Sequence, residues 1–386
     1  MKRRVAFCGG MVFNTTKETF VHANILCENG HIKDITRSDA PEGYEIVSID
    51  GKYIIPGMVD VHSHGIAGYD FNYAKADEIP AMCKAYAKAG TTSIMPTLAS
   101  YPYPRLMDSV FAINQNRASL RGGYANILGI HMEGRYLNPK MRGAHAENLL
   151  EDPSTNELNE LALAMMPTPI HFSIAPELNG AKEFMELASD LGVTIGIAHT
   201  NSTYEQAMDA VANGARSFTH TFNAMTKMHH RMPGAAVCAL LNNDAYAEVI
   251  CDGEHMHPAM VNLVYRSKPK NKMVLVTDSM CATCAPEGEY GIAGTKVFVK
   301  DGRAVNEEGA LAGSTLTLFK AVTNMMRFCN IPLNEAIKYA TINPAKMIKA
   351  EHVGKIAKKY RADFIVISDI NAPEIDKVYV GGCEVK

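Results

Sequence analysis

Short apolar runs alternate with amphipathic segments through most of the chain. From Tyr53 onward, runs of about five to eight apolar residues alternate with helical segments of about 10–18 residues. The runs are IIPGMVDVHSH, TTSIMPTLA, NILGIHMEG, PIHFSIAPE, VTIGIAHT, RSFTHTFN, YAEVICDG and MVLVTDS. Gly90 and Gly214 follow two of the helical segments, where a C-terminal cap is expected. Eight buried strands joined by helices predict an α/β fold, a (β/α)8 TIM barrel rather than an open sheet.

The two ends of the chain have a different pattern. Residues 1–52 contain short apolar stretches separated by Gly, Asn and Asp, without helical periodicity. The stretch ADFIVISDINAPEIDKVYVGGCEV near the C terminus is also strand-like. We therefore predict a small β-sandwich domain built from both chain ends, residues 1–55 and 355–386, and a barrel domain, residues 56–354.

The segment after the eighth apolar run predicts an insertion in the barrel. GEYGIAGTKVFVKDGRAVNEEGALAGS has the pattern of a β-hairpin. Two helices are expected after it, in TLTLFKAVTNMMRFC and PLNEAIKYATINPAKMI.

Length and charge narrow the classes of function. The chain has 386 residues, more than one compact core usually holds unless the fold is a barrel with an added domain. Its formal net charge is −3, which creates no positive field for nucleic acid or for an anionic membrane. We therefore expect neither partner, and an anionic substrate would need a local cationic pocket.

Cysteine usage and the N-terminal residues predict a cytoplasmic protein. The nine cysteines are scattered over the chain, and a core of this size forms without disulfides, so we expect reduced thiols. MKRRVAFCGGMVFN begins like a signal peptide, but Gly9 and Gly10 interrupt its short apolar stretch. No segment reaches the ~18–20 apolar residues of a membrane span. The CATC motif at 281–284 lacks the second cysteine pair that a zinc ribbon would need. Its two cysteines are therefore either a redox pair or two small residues in a loop.

Polar side chains with metal-binding chemistry follow five of the predicted barrel strands. In chain order they are His62 and His64, Glu133, His199, His220 and Asp278. Active-site groups of such barrels cluster at these carboxyl ends. His62 and His64 project on the same face of their strand and can share one ion. Imidazole and carboxylate ligands suit zinc or iron(II), with positions open for water and substrate.

Each of these residues alone has a simpler interpretation. A histidine at a strand end is more often a hydrogen-bonded residue of the rim, and a glutamate there can cap the next helix. Four imidazoles and two carboxylates at one barrel mouth are, however, costly to desolvate without a cation. We therefore predict a divalent metal site, with His131, deeper in its strand, behind the ligands.

A series of motifs runs in order along almost the full chain. They are PGMVDVHSHG, GIHMEGRYLNPKMRGAHAEN, IAHT, THTFNAM, RMPG, CDGEHMHP, LVTDSM, LAGSTLTL and ADFIVI. Together they resemble the N-acetylglucosamine-6-phosphate deacetylase family of the amidohydrolase superfamily. Most amidohydrolases bridge their metals with a carboxylated lysine, whereas Glu133 matches the glutamate of this family.

The resemblance implies a set of metal ligands. Glu133, His199 and His220 would hold the principal catalytic ion. His62 and His64 would hold a second ion, with Glu133 as the bridge. Some members lack the His-x-His pair and use one metal, so the resemblance implies one or two zinc or iron(II) ions per subunit.

The resemblance also implies a reaction, a step of amino sugar catabolism or cell-wall sugar recycling. A metal-activated hydroxide would attack the acetamide of N-acetyl-D-glucosamine 6-phosphate, releasing acetate and D-glucosamine 6-phosphate. Asp278 would act first as general base and then as general acid. His145 would help to polarise the carbonyl oxygen.

The family pattern further implies a substrate-binding set. It comprises Ala144, His145, Asn223, Ala224, Arg231, His255, Leu311, Ala312 and Gly313. Arg231 suits the phosphate because a guanidinium can grip two phosphate oxygens. The phosphate site of this family is completed across a dimer interface, which implies a homodimer.

Three positions depart from the family, and three other functions stay open. Arg135 stands where the family often has proline, adding a cation near the mouth, and Cys281 and Cys284 replace small residues. An N-acetylgalactosamine-6-phosphate deacetylase would share most of the motifs. A cyclic-amide hydrolase or deaminase predicts a strand-end lysine, which is missing. The intact ligands and Asp278 argue against a non-catalytic sugar-phosphate binder.

Overall fold

The structure, a computed structural model, describes residues 3–386. In chain order its strands are β1 (Arg4–Cys8), β2 (Met11–Asn14), β3 (Thr19–His22), β4 (Asn24–Glu28), β5 (His31–Thr36), β6 (Glu45–Ser48), β7 (Tyr53–Pro56), β8 (Met58–Ser63), β9 (Gly65–Ile66), β10 (Tyr69–Asp70), β11 (Thr91–Ala99), β12 (Asn126–Ile127), β13 (Ile130–Glu133), β14 (Ile170–Ile174), β15 (Thr194–Ile197), β16 (Ala215–Phe218), β17 (Tyr246–Ile250), β18 (Met273–Val276), β19 (Gly288–Ile292), β20 (Thr295–Lys300), β21 (Arg303–Asn306), β22 (Phe364–Ile367), β23 (Lys377–Val380) and β24 (Cys383–Glu384).

The helices lie mainly between the strands of the middle part of the chain. They are α1 (Ile79–Lys88), α2 (Tyr103–Ser119), α3 (Thr155–Met165), α4 (Ala181–Asp190), α5 (Tyr204–Ala212), α6 (Gly234–Leu241), α7 (Pro258–Ser267), α8 (Leu318–Cys329), α9 (Leu333–Ala336) and α10 (Ile342–Met347). Short 3-10 turns lie at Pro139–Met141, Glu147–Leu149 and Ile337–Ala340. Within residues 3–386, none of the helices combines the length and the apolar character that crossing a bilayer requires.

Parallel strands form a nearly closed barrel in the order β8-β11-β13-β14-β15-β16-β17-β18. Backbone hydrogen bonds link the last strand end to the first: the Asp278 N–H donates to the His62 carbonyl at 2.9 Å, and the His64 N–H donates to the Ser279 carbonyl at 2.8 Å. These strands are the eight predicted apolar runs, and they confirm the α/β barrel fold. The closing bonds bring His62, His64 and Asp278 side by side.

The barrel strands are buried because helices cover their outer face. Every residue of β8 and of β11 is buried. α5 begins with a capping box, in which Thr203 and Gln206 satisfy each other's backbone N–H groups. Gly90 and Gly214 lie two residues after the ends of α1 and α5 and have φ values of 90° and 103°, which confirms them as helix-terminating residues.

The two chain ends pair within one sheet of order β24-β23-β22-β7-β2-β3, in which β22 lies antiparallel to β7. A second sheet, β5-β4-β1-β6, shares a hydrophobic core with it. In that core Phe7 packs edge-on against Phe364, with ring centroids 5.2 Å apart. The predicted β-sandwich from both ends is therefore present, while the domain limits at residues 55 and 355 stay a prediction.

The segment after β18 differs from the sequence prediction in two details. The insertion is a sheet of order β19-β20-β21 rather than a hairpin, because the turn at Asp301 and Gly302, both at positive φ, adds another antiparallel strand. The second predicted helix is divided into α9, a 3-10 turn and α10. Pro344 explains the break before α10, since its ring would clash with the Ala340 carbonyl in a continuous helix.

Candidate metal centre and active site

The carboxyl ends of β8, β13, β15, β16 and β18 bring the predicted polar side chains together. All of them are buried, with exposed fractions of 9% or less. They form a single cluster of His62, His64, Glu133, His199, His220 and Asp278. Because all barrel strands run in the same direction, their ends meet at one mouth.

Glu133 lies at the centre of this cluster. Its Oε1 atom is 2.9 Å from His220 Nε2 and 3.4 Å from His199 Nε2. Its Oε2 atom is 3.0 Å from His64 Nε2 and 3.2 Å from His62 Nε2. Each carboxylate oxygen therefore faces one histidine pair, as in a carboxylate that bridges two ions.

The spacing of the ring nitrogens fits a divalent cation. The two Nε2 atoms are 3.3 Å apart in the His62–His64 pair and 3.1 Å apart in the His199–His220 pair. Nitrogens about 2.0–2.1 Å from one tetrahedral ion lie about 3.3 Å from each other. His199 Nδ1 donates to the Met141 carbonyl at 2.8 Å, which leaves the Nε2 lone pair directed into the cluster. The donor set and its geometry therefore suit a metal ion.

Three cluster residues have left-handed backbone conformations. The φ values are 42° at His199, 30° at His220 and 50° at Asp278. Such conformations cost about 1–3 kcal/mol each in residues other than glycine and persist only where neighbours fix them. At Asp278, the N–H bonds to His62 and the carbonyl accepts from the Ser314 N–H at 2.7 Å. Backbone strain within a buried polar cluster supports a functional role for these residues.

Burial and neighbouring charges set the protonation of the cluster. Burial opposes the charged form of His64, but hydrogen bonds with Asp278 and Glu133 outweigh it and raise the pKa of His64 to about 9. Burial likewise opposes ionisation of Asp278, but the charge of His62 and the hydrogen bond from His64 lower its pKa to about 2. Asp278 is therefore a carboxylate at neutral pH and able to accept a proton.

His145 lies beside the cluster and is oriented by Ser100. Its Nε2 atom is 3.8 Å from Glu133 Oε2, and its Nδ1 atom is 2.8 Å from Ser100 Oγ. The Ser100 backbone N–H also points at Nδ1, at 3.4 Å, so Nδ1 is the acceptor and Nε2 carries the proton. Burial lowers the pKa of His145 to about 3, which keeps the ring neutral. Sequence reasoning missed Ser100, although it directly follows β11.

A cavity at the barrel mouth contains most of the implied substrate-binding residues. Those that line it are Ala144, His145, Asn223, Ala224, His255, Leu311 and Gly313. His255 is held by Asp252, with Nδ1 and Oδ2 2.6 Å apart. Two of the set lie elsewhere. Ala312 is buried beside the cavity, and Arg231 is on an exposed loop with Nη1 2.9 Å from His230 Nε2.

Comparison with known families agrees with this geometry. A family model described as the amidohydrolase family matches residues 53–385. The chain belongs to the amidohydrolase family. The N-acetylglucosamine-6-phosphate deacetylase of Vibrio furnissii is 31% identical over 357 residues, covering 92% of this chain and 88% of that protein. The N-acetylgalactosamine-6-phosphate deacetylase of Escherichia coli O157:H7 is 30% identical over 367 residues, covering 93% of this chain and 96% of that protein.

Solved structures of amidohydrolases extend the similarity to the whole fold. N-acetylglucosamine-6-phosphate deacetylase from Pasteurella multocida superimposes with a TM-score of 0.91 at 25% identity, over 99% of both chains. A mutant of the Mycobacterium smegmatis enzyme, in complex with N-acetyl-D-glucosamine-6-phosphate, gives a TM-score of 0.90 at 27% identity, also over 99% of both chains. These comparisons confirm the resemblance to the N-acetylglucosamine-6-phosphate deacetylases.

In this amidohydrolase, the cation that Arg135 adds near the mouth is paired with carboxylates and does not line the cavity. Its Nη1 atom is 2.7 and 2.8 Å from the two carboxylate oxygens of Glu157, and its Nη2 atom is 2.9 Å from Glu151. Only 8% of the side chain is exposed. Two carboxylates balance its charge, so Arg135 joins the strand-end loop to α3 instead of facing substrate.

We expect Arg135→Met to lower the free energy of unfolding by about 1–3 kcal/mol, because it leaves the Glu157 carboxylate, 20% exposed, without its cationic partner and with the Tyr136 hydroxyl as its remaining side-chain donor. Urea denaturation followed by circular dichroism measures this. Arg105→Met is the matched control: its pair with Asp108 has side chains 71% and 70% exposed, so the change should stay within about 0.5 kcal/mol. Equal losses in both variants would contradict this role for Arg135.

The two cysteines that depart from the family differ in their surroundings. Cys281 is buried, with its Sγ 3.6 Å from the Gly291 carbonyl, and Cys284 is exposed. Burial raises the pKa of Cys281 to about 11, so it stays a thiol at neutral pH. Because thiol–disulfide exchange needs a thiolate, this favours two loop residues over a redox pair.

Proposed function

We propose that this amidohydrolase removes the acetyl group of N-acetyl-D-glucosamine 6-phosphate, giving D-glucosamine 6-phosphate and acetate. One observation carries the proposal: Glu133 lies between two histidine pairs, next to an ionised Asp278, at the barrel mouth. The similarity to deacetylases of phosphorylated amino sugars, over about nine-tenths of the chain, selects the substrate class.

Five side chains would hold one or two divalent ions. Glu133, His199 and His220 would form the principal site, and His62 and His64 the second site, with Glu133 shared. Zinc and iron(II) both suit this donor set. A bound ion would lower the pKa of a water molecule to about 7 and would polarise the amide carbonyl.

Asp278 and His145 would handle the protons of the reaction. The Asp278 carboxylate accepts a proton from the attacking water and later gives it to the departing amine nitrogen as the C–N bond breaks. His145 presents its Nε2–H to the cavity and donates to the acetamide oxygen as negative charge develops there. The acetyl carbon leaves as acetate, and the amino sugar phosphate keeps its nitrogen.

The phosphate needs a cation, and we infer that Arg231 supplies it across a dimer interface. Arg231 is outside the cavity of its own chain, on a loop where Met228 is 47% exposed and Met232 is 72% exposed. Exposed methionines next to an arginine are typical of interface surface. We propose a homodimer in which Arg231 of one protomer reaches the phosphate bound in its partner's cavity.

We expect Arg231→Ala to raise KM for the phosphorylated sugar by about 10–100-fold with little change in kcat, since the lost contact is a charge-assisted hydrogen bond. Steady-state kinetics on N-acetyl-D-glucosamine 6-phosphate measure this. The unphosphorylated sugar is the control, because its KM should be the same in both proteins. An unchanged KM for the phosphorylated sugar, or a monomer by size-exclusion chromatography, would contradict the assignment.

N-acetyl-D-galactosamine 6-phosphate is the second candidate substrate, because an Escherichia coli relative named for that sugar is 30% identical to this chain. The two sugars share the acetamide and the phosphate and differ in one hydroxyl orientation. Acetate release from both tests the proposal, which predicts a higher kcat/KM for the glucosamine compound. A higher kcat/KM for the galactosamine compound would reassign the substrate.

We also propose a cytoplasmic location. Within residues 3–386 all nine cysteines are free thiols, which supports folding in a reducing compartment.

A further inference from the structure

A buried carboxylate lies inside the barrel next to the metal cluster. Glu248, in the middle of β17, is 1% exposed. Its Oε1 accepts a hydrogen bond from Ser217 Oγ at 2.8 Å, whereas its Oε2 has no hydrogen-bond partner. An unpaired carboxylate oxygen in a protein interior is costly, so this atom needs an explanation.

The atom that faces Glu248 Oε2 is His62 Nδ1, at 3.9 Å. His62 is fully buried, and its Nδ1 also lacks a hydrogen-bond partner. On the other side of the ring, Nε2 is 3.2 Å from Glu133 Oε2. The imidazole thus lies between two carboxylates, one at each nitrogen.

The other buried histidines near Glu248 are not placed to donate to its Oε2. Both nitrogens of His131 are engaged, by Thr97 at 3.1 Å and by Ser173 at 2.8 Å. His171 Nε2 also lacks a hydrogen-bond partner, but it faces Oε1 of Glu248, at 3.8 Å, and not Oε2. Its Nδ1 is 2.9 Å from Thr194 Oγ1, whose hydroxyl donates to the Ile170 carbonyl at 3.1 Å, so in the neutral ring Nδ1 carries the proton and Nε2 has none to donate. No lysine or arginine of residues 3–386 lies within 4.0 Å of the Glu248 carboxylate. His62 is therefore the partner best placed to satisfy Oε2.

A carboxylate at Nδ1 determines which nitrogen of His62 keeps its proton. Neutral imidazole has one N–H and one lone pair, so a proton held at Nδ1 leaves the lone pair on Nε2. That lone pair points at Glu133 and His64. Carboxylate–histidine–metal arrangements of this kind fix the ligand ring and raise its basicity.

We propose that Glu248 is a positioning residue for the second metal site: it accepts the Nδ1–H of His62 and thereby directs Nε2 at the ion. The inference rests on the ligands assigned under the proposed function. Its effect is confined to one site, because the equivalent Nδ1–H of His199 is already taken by the Met141 carbonyl.

Zinc binding to the apoprotein tests this role without reference to activity. Isothermal titration calorimetry with Zn²⁺, and zinc content by mass spectrometry, are compared for the wild type, Glu248→Leu and Glu248→Gln. We expect two ions in the wild type. Glu248→Leu should weaken the second ion by about 10–100-fold and leave the first unchanged. Glu248→Gln keeps an oxygen that can accept from Nδ1, so its loss should be smaller but measurable.

Asp60→Asn is the matched control. Asp60 is a fully buried carboxylate whose Oδ2 accepts from Thr277 Oγ1 at 2.6 Å and whose Oδ1 accepts from the backbone N–H groups of His62 and Thr277. Asparagine keeps Oδ1, and no ring nitrogen donates to Asp60, so this variant should keep both ions.

Several results would overturn the inference while leaving the proposed reaction intact. These are two equally tight ions in Glu248→Leu, equal weakening of both sites, the same loss in Asp60→Asn, or a wild type with one tight site. A wild type that binds no zinc would instead contradict the proposed function. If Glu248→Leu does not fold, Glu248→Gln decides alone, and unchanged zinc affinity in it would refute the role.

Discussion

Asp278→Asn should lose deacetylation by a factor of about 100–10,000 in kcat while keeping its metal ions and its fold. The carboxylate lines the cavity and is ionised at neutral pH, and its backbone is fixed by bonds to His62 and Ser314. The amide has the same shape but cannot accept the proton of the attacking water. It therefore cannot return that proton to the departing nitrogen either.

Acetate release, zinc content and thermal unfolding of Asp278→Asn separate the two roles open to this residue. Asp278 Oδ1 is 3.2 Å from His64 Nε2 and 3.4 Å from His62 Nε2, close enough to be a ligand of the second ion. Near-normal turnover would refute its role as the base. Loss of one ion together with loss of activity would make Asp278 a metal ligand instead.

Glu133→Ala should lose both ions, and with them nearly all activity. The reason is the position of the two carboxylate oxygens, since Oε1 faces His199 and His220 while Oε2 faces His62 and His64. Without the carboxylate, the principal site keeps two imidazoles and no negative charge, and the second site keeps two imidazoles with Asp278 as its one carboxylate. We expect less than one zinc ion per chain after dialysis and no measurable acetate release.

Glu133→Gln is the companion variant, because its amide has one oxygen and can serve only one of the two sites. We expect at most one ion per chain. Mass spectrometry of the dialysed protein measures the ratio, and circular dichroism confirms that the variant is folded. Two tightly bound ions in Glu133→Gln, or full occupancy in Glu133→Ala, would show that Glu133 is not the bridging ligand.

The cluster could be predicted from sequence because of a property of the barrel. All its strands point the same way, so a polar residue at the end of any apolar run faces the same mouth. This placed His62, Glu133 and His220 in one site although they are far apart in sequence. The same property places Ser100 at this mouth, directly after β11, but a serine at a strand end carries no ionisable group that would mark it as part of a site.

Other features depend on contacts that no local pattern encodes. The Arg135 side chain turns towards Glu157 on α3, a helix whose position only the folded chain defines. Glu248 lies inside the run YAEVICDG, where a single polar residue does not reveal which ring it will face. The placement of Arg231 outside its own cavity depends on the loop and, in our proposal, on a second protomer.

The division of the last predicted helix had a visible signal in Pro344, but helical periodicity on either side concealed it. The third strand of the insertion, β21, could not be predicted for a different reason. It has only four residues, and so short a run is difficult to distinguish from a turn.

Metal-dependent acetate release by this chain is the central property of the proposed function. The measurement is the rate of acetate release from N-acetyl-D-glucosamine 6-phosphate by one preparation, first as apoprotein and then during stepwise addition of zinc, with bound zinc measured at each step. We predict negligible release by the apoprotein and a rate that rises in proportion to the zinc bound. An apoprotein as fast as the zinc-loaded protein, or a fully loaded protein that releases no acetate, would contradict the account.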